Sequence, residues 1–166
     1  WVRLTLHPEW ATRVIGTVTL ATGSGASIGT GQTSANNVNT TAATVVATAG
    51  SGGLFIEETD GASFTVNATG AGAVNVLNDA STLTIGGASG TGTGVVTLAS
   101  QGPIAINNTL TTTGVGGTIT INANTAGADA DSYTQGAFLI SSGDTSANAV
   151  KITVNDTAGA TATAQL

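Results

Sequence analysis

Large apolar residues alternate with small polar residues in short runs along most of this chain. The pattern is clearest in the stretch Gly94–Ala123, where Val96–Leu98, Ile104–Ile106 and Ile119–Ile121 carry an apolar side chain at every second position. A period of two residues predicts a β-strand with one buried face. Gly, Asn and Gln separate the runs, so these strands are predicted to be short.

One motif, Gly-x-apolar-x-apolar, opens several of these runs. It occurs at Gly16, Gly72, Gly94, Gly117 and Gly136. The last four copies follow one another at intervals of roughly 19–23 residues, which is the range expected of repeat proteins. The motif therefore predicts a repetitive architecture.

The rest of the chain also favours an all-β fold. Gly and the β-branched residues Thr, Val and Ile disfavour helix interiors, and no long apolar stripe of helical period is present. Between positions 21 and 41 only Ile28 and Val38 are candidate core residues. Further strands are predicted at Val14–Leu20, Ala43–Ala47, Leu54–Glu58, Phe64–Val66, Val74–Val76, Leu83–Ile85, Phe138–Ile140 and Ile152–Val154.

Two architectures fit strands that recur about every ten residues. The first is a parallel β-helix (β-solenoid), in which stacked coils share an apolar core and Gly, Asn and Thr form the corners. The second is an antiparallel β-sandwich with strand donation between subunits. The β-helix is the favoured prediction, although the pair Asp60-Gly61 between two predicted strands is a hairpin signal and predicts one antiparallel pair.

Asn residues near the ends of strands support the β-helix. Asn tolerates a left-handed backbone and can stack in a ladder on the coil above. The residues concerned are Asn67, Asn107, Asn108, Asn122 and Asn155.

The chain is predicted to divide into a distinct N-terminal segment, residues 1–20, and a single repetitive β domain, residues 21–166. The segment contains both Trp residues, the one His and two of the three basic residues. Pro8 interrupts its alternating pattern, because Pro is poorly tolerated in a central strand. We interpret the segment as a cap or a subunit-contact strand. A start at Trp1 without Met predicts a processed or excised piece of a longer protein.

Charge and composition exclude several functions. The net charge is −6 and only three residues are basic, so no basic surface exists to bind nucleic acid. The chain has no Cys, which excludes disulfides, Cys–zinc sites and thiol catalysis. No apolar run is long enough to cross a bilayer, so membrane insertion is not expected.

The sequence offers little catalytic chemistry. His7 is the one histidine, and although Ser27 lies in a G-x-S-x-G match, no helical pattern follows it as a nucleophile elbow requires, so a hydrolase triad has no support. Glu57, Glu58 and Asp60 form the one acidic cluster, and because neighbouring strand residues point to opposite faces we interpret it as a solvated strand end followed by a turn. No catalytic residue and no cofactor are predicted.

Weaker candidates concern metal, glycan and subunit contacts. Asp129 and Asp131 place two carboxylates on one loop and are candidate Ca²⁺ ligands, although the GGxGxDxUx calcium repeat is absent. Trp1 and Trp10 are candidate subunit contacts, since paired Trp residues often anchor interfaces. The N-x-Ser/Thr sequons give candidate glycosylation sites at Asn39, Asn67, Asn107 and Asn155.

The other aromatic residues are scattered along the chain. Phe64 and Phe138 share the parity of the predicted core positions and are therefore expected inside.

The segments GVVTLASQGPIAINNTLTTTGVGGTITINA and GAFLISSGDTSANAVKITVN resemble large secreted bacterial repeat adhesins of the filamentous-haemagglutinin and autotransporter-passenger type. The resemblance covers the chain from about Gly61 onward. It implies a right-handed parallel β-helix that forms rods at the cell surface, and hence an extracellular location. It transfers no catalytic or binding residue.

These observations predict a structural or adhesive component of an extracellular rod or filament, with no catalysis. Its partner is expected to be itself, as a homopolymer or as neighbouring repeats, and surface glycans or cell receptors would be the further partners of an adhesin. The alternatives are a pilin-like β-sandwich subunit joined by donor-strand pairing, a carbohydrate-binding or polysaccharide-active β-helix, and a free-standing globular domain.

Overall fold

The computed structural model describes residues 14–33, 35–126, 133–155 and 164–165. Within these ranges every regular element is a β-strand and there is no helix, which confirms the all-β prediction. The strands are β1 (Val14–Ala21), β2 (Val38–Thr40), β3 (Ala42–Ala49), β4 (Leu54–Glu58), β5 (Ser63–Ala68), β6 (Val74–Asn78), β7 (Leu83–Ile85), β8 (Ser89–Thr91), β9 (Val96–Ser100), β10 (Ile104–Ile106), β11 (Leu110–Thr112), β12 (Ile119–Ala123), β13 (Tyr133–Gln135), β14 (Ile140–Ser141), β15 (Val150–Val154) and β16 (Ala164–Gln165).

The strands form two sheets, and every strand pair in the described ranges is parallel. The six-stranded sheet has the order β15-β12-β9-β6-β4-β2. In the ten-stranded sheet, β5 pairs with β3 on one side and with both β7 and β8 on the other. Two parallel sheets are compatible with a β-helix. The alternative of an antiparallel sandwich is wrong for this part of the chain.

Each strand of the six-stranded sheet, with the strands of the ten-stranded sheet that follow it in sequence, makes one rung. Rung I is β2 and β3, and rung II is β4 and β5. Rung III is β6, β7 and β8, and rung IV is β9, β10 and β11. Rung V is β12, β13 and β14, and rung VI is β15 and β16. From rung II to rung V of the six-stranded sheet, paired residues are 20 to 23 positions apart.

The core lies between the two sheets. Strands β4, β6, β9 and β12 alternate buried and half-buried side chains along their length, as the period of two predicts. Full burial of a Val, Leu or Ile side chain stabilises a fold by about 1.5–3 kcal/mol. The inward apolar residues of these four strands, all 0–1% exposed, are Leu54, Ile56, Val74, Val76, Val96, Leu98, Ile119 and Ile121.

Outside these four strands, some of the predicted core residues are in the core and one is not. Ile28, Val38 and Phe64 lie in or against the core, as predicted. Phe138 does not, because it is 43% exposed and precedes β14, whose first residue is Ile140.

The glycine motif marks the corner that leads into the six-stranded sheet. Gly72, Gly94 and Gly117 are buried and each lies two residues before the first inward residue of a strand. A Cβ on Gly72 would lie 2.6 Å from the carbonyl oxygen of Gly50. A Cβ on Gly94 would collide with the carbonyl oxygen of Gly72. Successive rungs therefore approach too closely here for any side chain.

Two copies of the motif have other positions. Gly16 lies inside β1, and Gly136 follows β13 in the ten-stranded sheet. The prediction that Gly136 opens the next repeat is wrong, because the step from rung V to rung VI is longer. Ile119 pairs with Val150, 31 positions later.

The predicted hairpin at Asp60-Gly61 is wrong. The strands on either side, β4 and β5, belong to different sheets. Gly61 has a φ of +90°, so the pair does make a tight turn, and the backbone oxygen of Thr82 in rung III lies 2.8 Å from where its Cβ would be. The Asp-Gly pair therefore forms a corner between sheets.

Strand β1 pairs with β3 and extends the ten-stranded sheet to residue 14. Residues 1–13, which include Trp1, His7, Pro8 and Trp10, lie outside the described residues. The distinct N-terminal segment, with its break at Pro8, stays a prediction.

Candidate functional site

Four acidic residues gather at the corner where β4 and β6 end and the chain turns toward the ten-stranded sheet. They are Glu57, Glu58, Asp60 and Asp79, four of the five acidic residues that the structure describes. We call these four residues the acidic corner. The alternation of the strand turns Glu58 inward and Glu57 outward, so the corner has an inner and an outer side.

The inner side is a column of buried polar residues, one from each of rungs I to IV. Thr40 pairs with Glu58, Glu58 with Asn78, and Asn78 with Ser100. All four are 0–7% exposed. The column continues the inward positions of the apolar core but carries hydrogen-bonding groups instead.

Each rung contributes hydrogen bonds to this column. The Thr40 hydroxyl donates to Oε2 of Glu58, and the Ala42 N–H donates to Oε1 at 3.1 Å. The Asn78 amide donates from Nδ2 to Oγ of Ser100 at 2.9 Å. That Oγ also accepts the N–H of Gly102 at 3.2 Å. Side-chain hydrogen bonds thus link rung I to rung II and rung III to rung IV, in addition to the pairing of the strands.

Glu58 is fully buried, so its interpretation as part of a solvated strand end is wrong. The two glutamates do lie on opposite faces of β4, as the alternation predicts, but the inward face belongs to the core. Burial raises the pKa of the Glu58 carboxyl above 4.5. The hydrogen bonds from the Thr40 hydroxyl and from the backbone N–H groups of Ala42 and Asp60 lower this pKa, whereas contact with the side chain of Asp60 raises it.

The outer side is a second column, formed by Asn37, Glu57, Asp79 and Gln101. Nδ2 of Asn37 donates to Oε2 of Glu57, and Nε2 of Gln101 donates to Oδ1 of Asp79 at 3.4 Å. The two carboxyl groups between them are in hydrogen-bonding contact. Partial burial raises the pKa of Asp79, as do the contact with Glu57 and its charge, while Gln101 lowers it.

The acidic corner is rich in oxygen and poor in positive charge. The one Lys or Arg in the described ranges, Lys151, lies in β15 of rung VI. Two buried side-chain oxygens in these ranges have no hydrogen-bond partner, Oδ1 of Asn37 and Oδ1 of Asn78, and both residues adjoin the corner. These two amide oxygens beside the corner therefore lack a hydrogen-bond donor.

The geometry of the corner argues against two kinds of chemistry. Retaining and inverting glycosidases hold their carboxyl groups about 5–9.5 Å apart, whereas the pairs here are in hydrogen-bonding contact. Among the residues that the structure describes, no three His, Cys, Asp or Glu side chains are placed to hold a metal ion. The expectation of no catalysis stays a prediction.

The structure describes only some of the predicted site residues. The candidate Ca²⁺ ligands Asp129 and Asp131 lie outside the described residues. Of the sequon residues, Asn39, Asn107 and Asn155 are exposed, while Asn67 is half-buried. Glycosylation stays a prediction.

The Asn residues do not adopt the left-handed backbone that the ladder hypothesis expected of them. In the described part of the chain the non-glycine residues with positive φ are Ser81 and Asn124. Asn67 and Asn108 instead donate to the carbonyl oxygens of Ala88 and Gly86, which lie 21 and 22 positions away. These side-chain amides therefore connect neighbouring rungs by donating to backbone carbonyl oxygens.

The sequence analysis did not place Asp79 in the acidic corner, and it did not identify the three amide residues that adjoin the corner, Asn37, Asn78 and Gln101. A signal was available, because Glu58, Asn78 and Ser100 occupy the same position in successive repeats. An alignment of the repeats with one another would have placed the three in one column.

Comparisons of the chain with protein-family models, curated proteins and solved structures found no match. The resemblance to repeat adhesins therefore stays a prediction. Within the described ranges there is no helix with the length and apolar character needed to span a membrane.

Proposed function

We propose that this chain is a segment of a parallel β-helix that acts as a structural or adhesive component of an extracellular rod or filament. The observation that carries the proposal is the open end of the stack. In the described ranges the six-stranded sheet ends at β15, which pairs on one side only, with β12. An unpaired strand edge presents N–H and C=O groups that template pairing with another strand.

The apolar face of this last strand supports the same conclusion. Val150 is 38% exposed, and Ile152 and Val154 are half-buried although they pack against the core. A further rung, stacked about 4.8 Å beyond β15, would cover these side chains as β12 covers those of β9. We infer that the occupant is another rung of the same kind, from a longer chain or from a second copy.

The surface chemistry is in keeping with a structural role. Only 7% of the residues are charged, and a strand edge that must stay monomeric usually carries charges or Pro. Strand β15 carries a single charge, Lys151, on its outward face. This edge is therefore weakly protected against association.

The remaining alternatives have less support. Donor-strand pairing of pilin type requires an antiparallel sandwich, which the pairing of the strands contradicts. A polysaccharide-active β-helix requires separated carboxylates together with exposed aromatic residues. The acidic corner has contacting carboxylates, and the exposed Phe138 lies in rung V.

The test compares self-association of the chain with that of Val150→Lys, which places a charge on the apolar face of the open end. The matched control is Val115→Lys, because Val115 is 80% exposed in the turn between β11 and β12. Sedimentation and electron microscopy should show elongated particles that grow with concentration for the chain and for the control, and small particles for Val150→Lys. A chain that stays monomeric at all concentrations, or a Val150→Lys variant that still elongates, would contradict the proposal.

A further inference from the structure

The two ends of the six-stranded sheet differ in how well their inward residues are covered. In the described ranges β2 is the edge strand at one end and β15 at the other. At the β2 end Ile28 is 5% exposed and Thr40 is 7% exposed. At the β15 end Val150, which lies in the same column as Ile28, is 38% exposed. Ile152 and Val154 beside it are half-buried. The sheet is therefore closed at rung I and open at rung VI.

The backbone of β15 presents a regular row of hydrogen-bonding groups at the open edge. In a parallel ladder the N–H and C=O of one residue point to one neighbouring strand, and those of the next residue point to the other side. The C=O of Ala149 accepts the N–H of Ile119 at 2.8 Å, and the N–H of Asn155 donates to the C=O of Ala123 at 3.1 Å. The odd-numbered residues of β15 therefore face β12. The open edge is left with the N–H and C=O groups of Val150, Ile152 and Val154.

Strand β2 offers much less to a partner. The C=O of Thr40 accepts the N–H of Thr59 at 3.1 Å, so the even-numbered residues of this strand face β4. Only Asn39 of its three residues faces the other way. A turn precedes the strand, and within this turn the N–H of Asn37 donates to the C=O of Thr33 at 3.0 Å. A further strand could therefore pair with β2 through one residue only.

We propose that the occupant of the open end is a second copy of this chain, whose β15 pairs antiparallel with the first β15 about a two-fold axis through Ile152. The proposal rests on the proposed function, because it names the partner of the same open end. Ile152 then lies opposite Ile152 of the second copy, and Val150 lies opposite Val154 of the second copy. Residues paired in this way in an antiparallel ladder exchange both backbone hydrogen bonds. Every N–H and C=O of the row therefore finds a partner.

The side chains of β15 suit the same arrangement. Its three inward residues are all apolar, so the two copies place three apolar pairs side by side and continue one core across the axis. On the outward face Lys151 lies opposite Thr153 of the second copy. The two lysines are therefore not directly opposite each other, a position in which like charges destabilise a sheet. Because the other end of each copy is closed, the rod contains two stacks and lengthens only once, when two copies meet.

Pairs of cysteine variants test this arrangement in the full chain, which has no Cys of its own. Lys151 and Thr153 of the second copy form a non-hydrogen-bonded pair, in which the Cα atoms are about 4.5 Å apart and within reach of a disulfide. Identical positions in the two copies are about 7–8 Å apart, which is too far. On mild oxidation, a mixture of Lys151→Cys and Thr153→Cys should form disulfide-linked dimers several-fold more than either variant alone. The matched control, Val115→Cys mixed with either variant, should show no such increase.

The possible outcomes separate this proposal from the proposed function. Head-to-tail stacking would place Thr153 beside Asn39 of the next copy, because these two residues lie in one column. Preferential cross-linking of Thr153→Cys with Asn39→Cys, or particles of more than two copies in sedimentation of the unmodified chain, would overturn the two-fold pairing and leave the proposed function standing. Dimers in which the Lys151→Cys and Thr153→Cys mixture gains nothing over the single variants would overturn it as well. An unmodified chain that stays monomeric at all concentrations would overturn both.

Discussion

The middle and the end of the stack differ in burial although their strands have similar sequences. In β9 the inward residues Val96 and Leu98 are 0% exposed. In β15, where the same alternation recurs, Val150 is 38% exposed and Ile152 is half-buried. Strand β9 has a neighbour on each side, whereas β15 pairs only with β12 in the described ranges. Burial in this fold is therefore set by neighbouring rungs, as in other stacked-repeat architectures.

The comparison extends to the ten-stranded sheet. In rungs III and IV the short strands β8 and β11 follow directly in register, and their inward residues are buried. In rung V, β14 has only two residues, and its inward residue Ile140, the partner of the buried Leu110, is half-buried. The regular core therefore weakens in rung V, before the last rung is reached.

The largest effect should come from shortening an inward side chain. We expect Leu98→Ala to reduce the free energy of unfolding by about 2–5 kcal/mol, because the cavity is enclosed by rungs on both sides. Ile152→Ala should reduce the free energy of unfolding by less than half as much, since its side chain is only half-buried in the parent chain. Urea unfolding of the two variants measures the difference. Equal losses would show that the end of the stack is as well covered as the middle.

The strands could be predicted because the two-residue period is a local property of the sequence. The alternation in β4, β6, β9 and β12 survives in the structure unchanged. The partner of each strand could not be predicted in the same way. An Asp-Gly pair makes a tight turn in a hairpin and also at a corner between sheets, and only the position of the next rung distinguishes the two.

In the acidic corner, too, the face of each residue could be predicted from the sequence but its partners could not. The sequence places Glu57 and Glu58 on opposite faces, but it does not show that the inward face at the last position of β4 is lined by Thr40 and Asn78. Those partners lie 18 and 20 positions away from Glu58. Their contribution depends on the pairing register, which a local pattern does not contain.

The second prediction concerns the close approach of backbones at the corners. Gly94→Ala should destabilise the chain by about 1–3 kcal/mol, because its Cβ would collide with the carbonyl oxygen of Gly72, a backbone atom that cannot turn aside as a side chain can. Gly136→Ala is the matched substitution in rung V. There the Cβ would lie 3.0 Å from the ring of Phe138, an exposed side chain that can move.

Thermal unfolding of the two glycine variants measures this contrast. We expect a clear loss for Gly94→Ala and a small one for Gly136→Ala. A further control, Gly23→Ala, has nothing within 4 Å of the new Cβ and should be close to neutral. A Gly94→Ala variant as stable as Gly23→Ala would mean that the rungs are not as close as the structure has them.

The smallest effect should come from Asp144, which joins the turn before β15 to the turn before β12. Its Oδ1 accepts the N–H of Ser146 at 2.6 Å, and its Oδ2 accepts the N–H of Gly116 at 2.8 Å. Hydrogen bonds from the amide and side chain of Ser146, and then from the amide of Gly116, lower the pKa of Asp144 below 3.8. The carboxylate therefore contributes stability that is present above pH 3.8 and is lost as the pH falls through the folded pKa.

Asp144→Asn should accordingly lower the melting temperature slightly at neutral pH, and the gap to the parent chain should close on acidification. The effect is small because the group is solvated and its charge is screened. Melting curves of both proteins at neutral pH and below pH 3.8 make the comparison. Both proteins contain Glu58, so the contribution of its raised pKa cancels in the difference. A gap that stays constant down to low pH would mean that the charge of Asp144 does not hold rung VI to the middle of the stack, leaving strand pairing with β12 as the attachment.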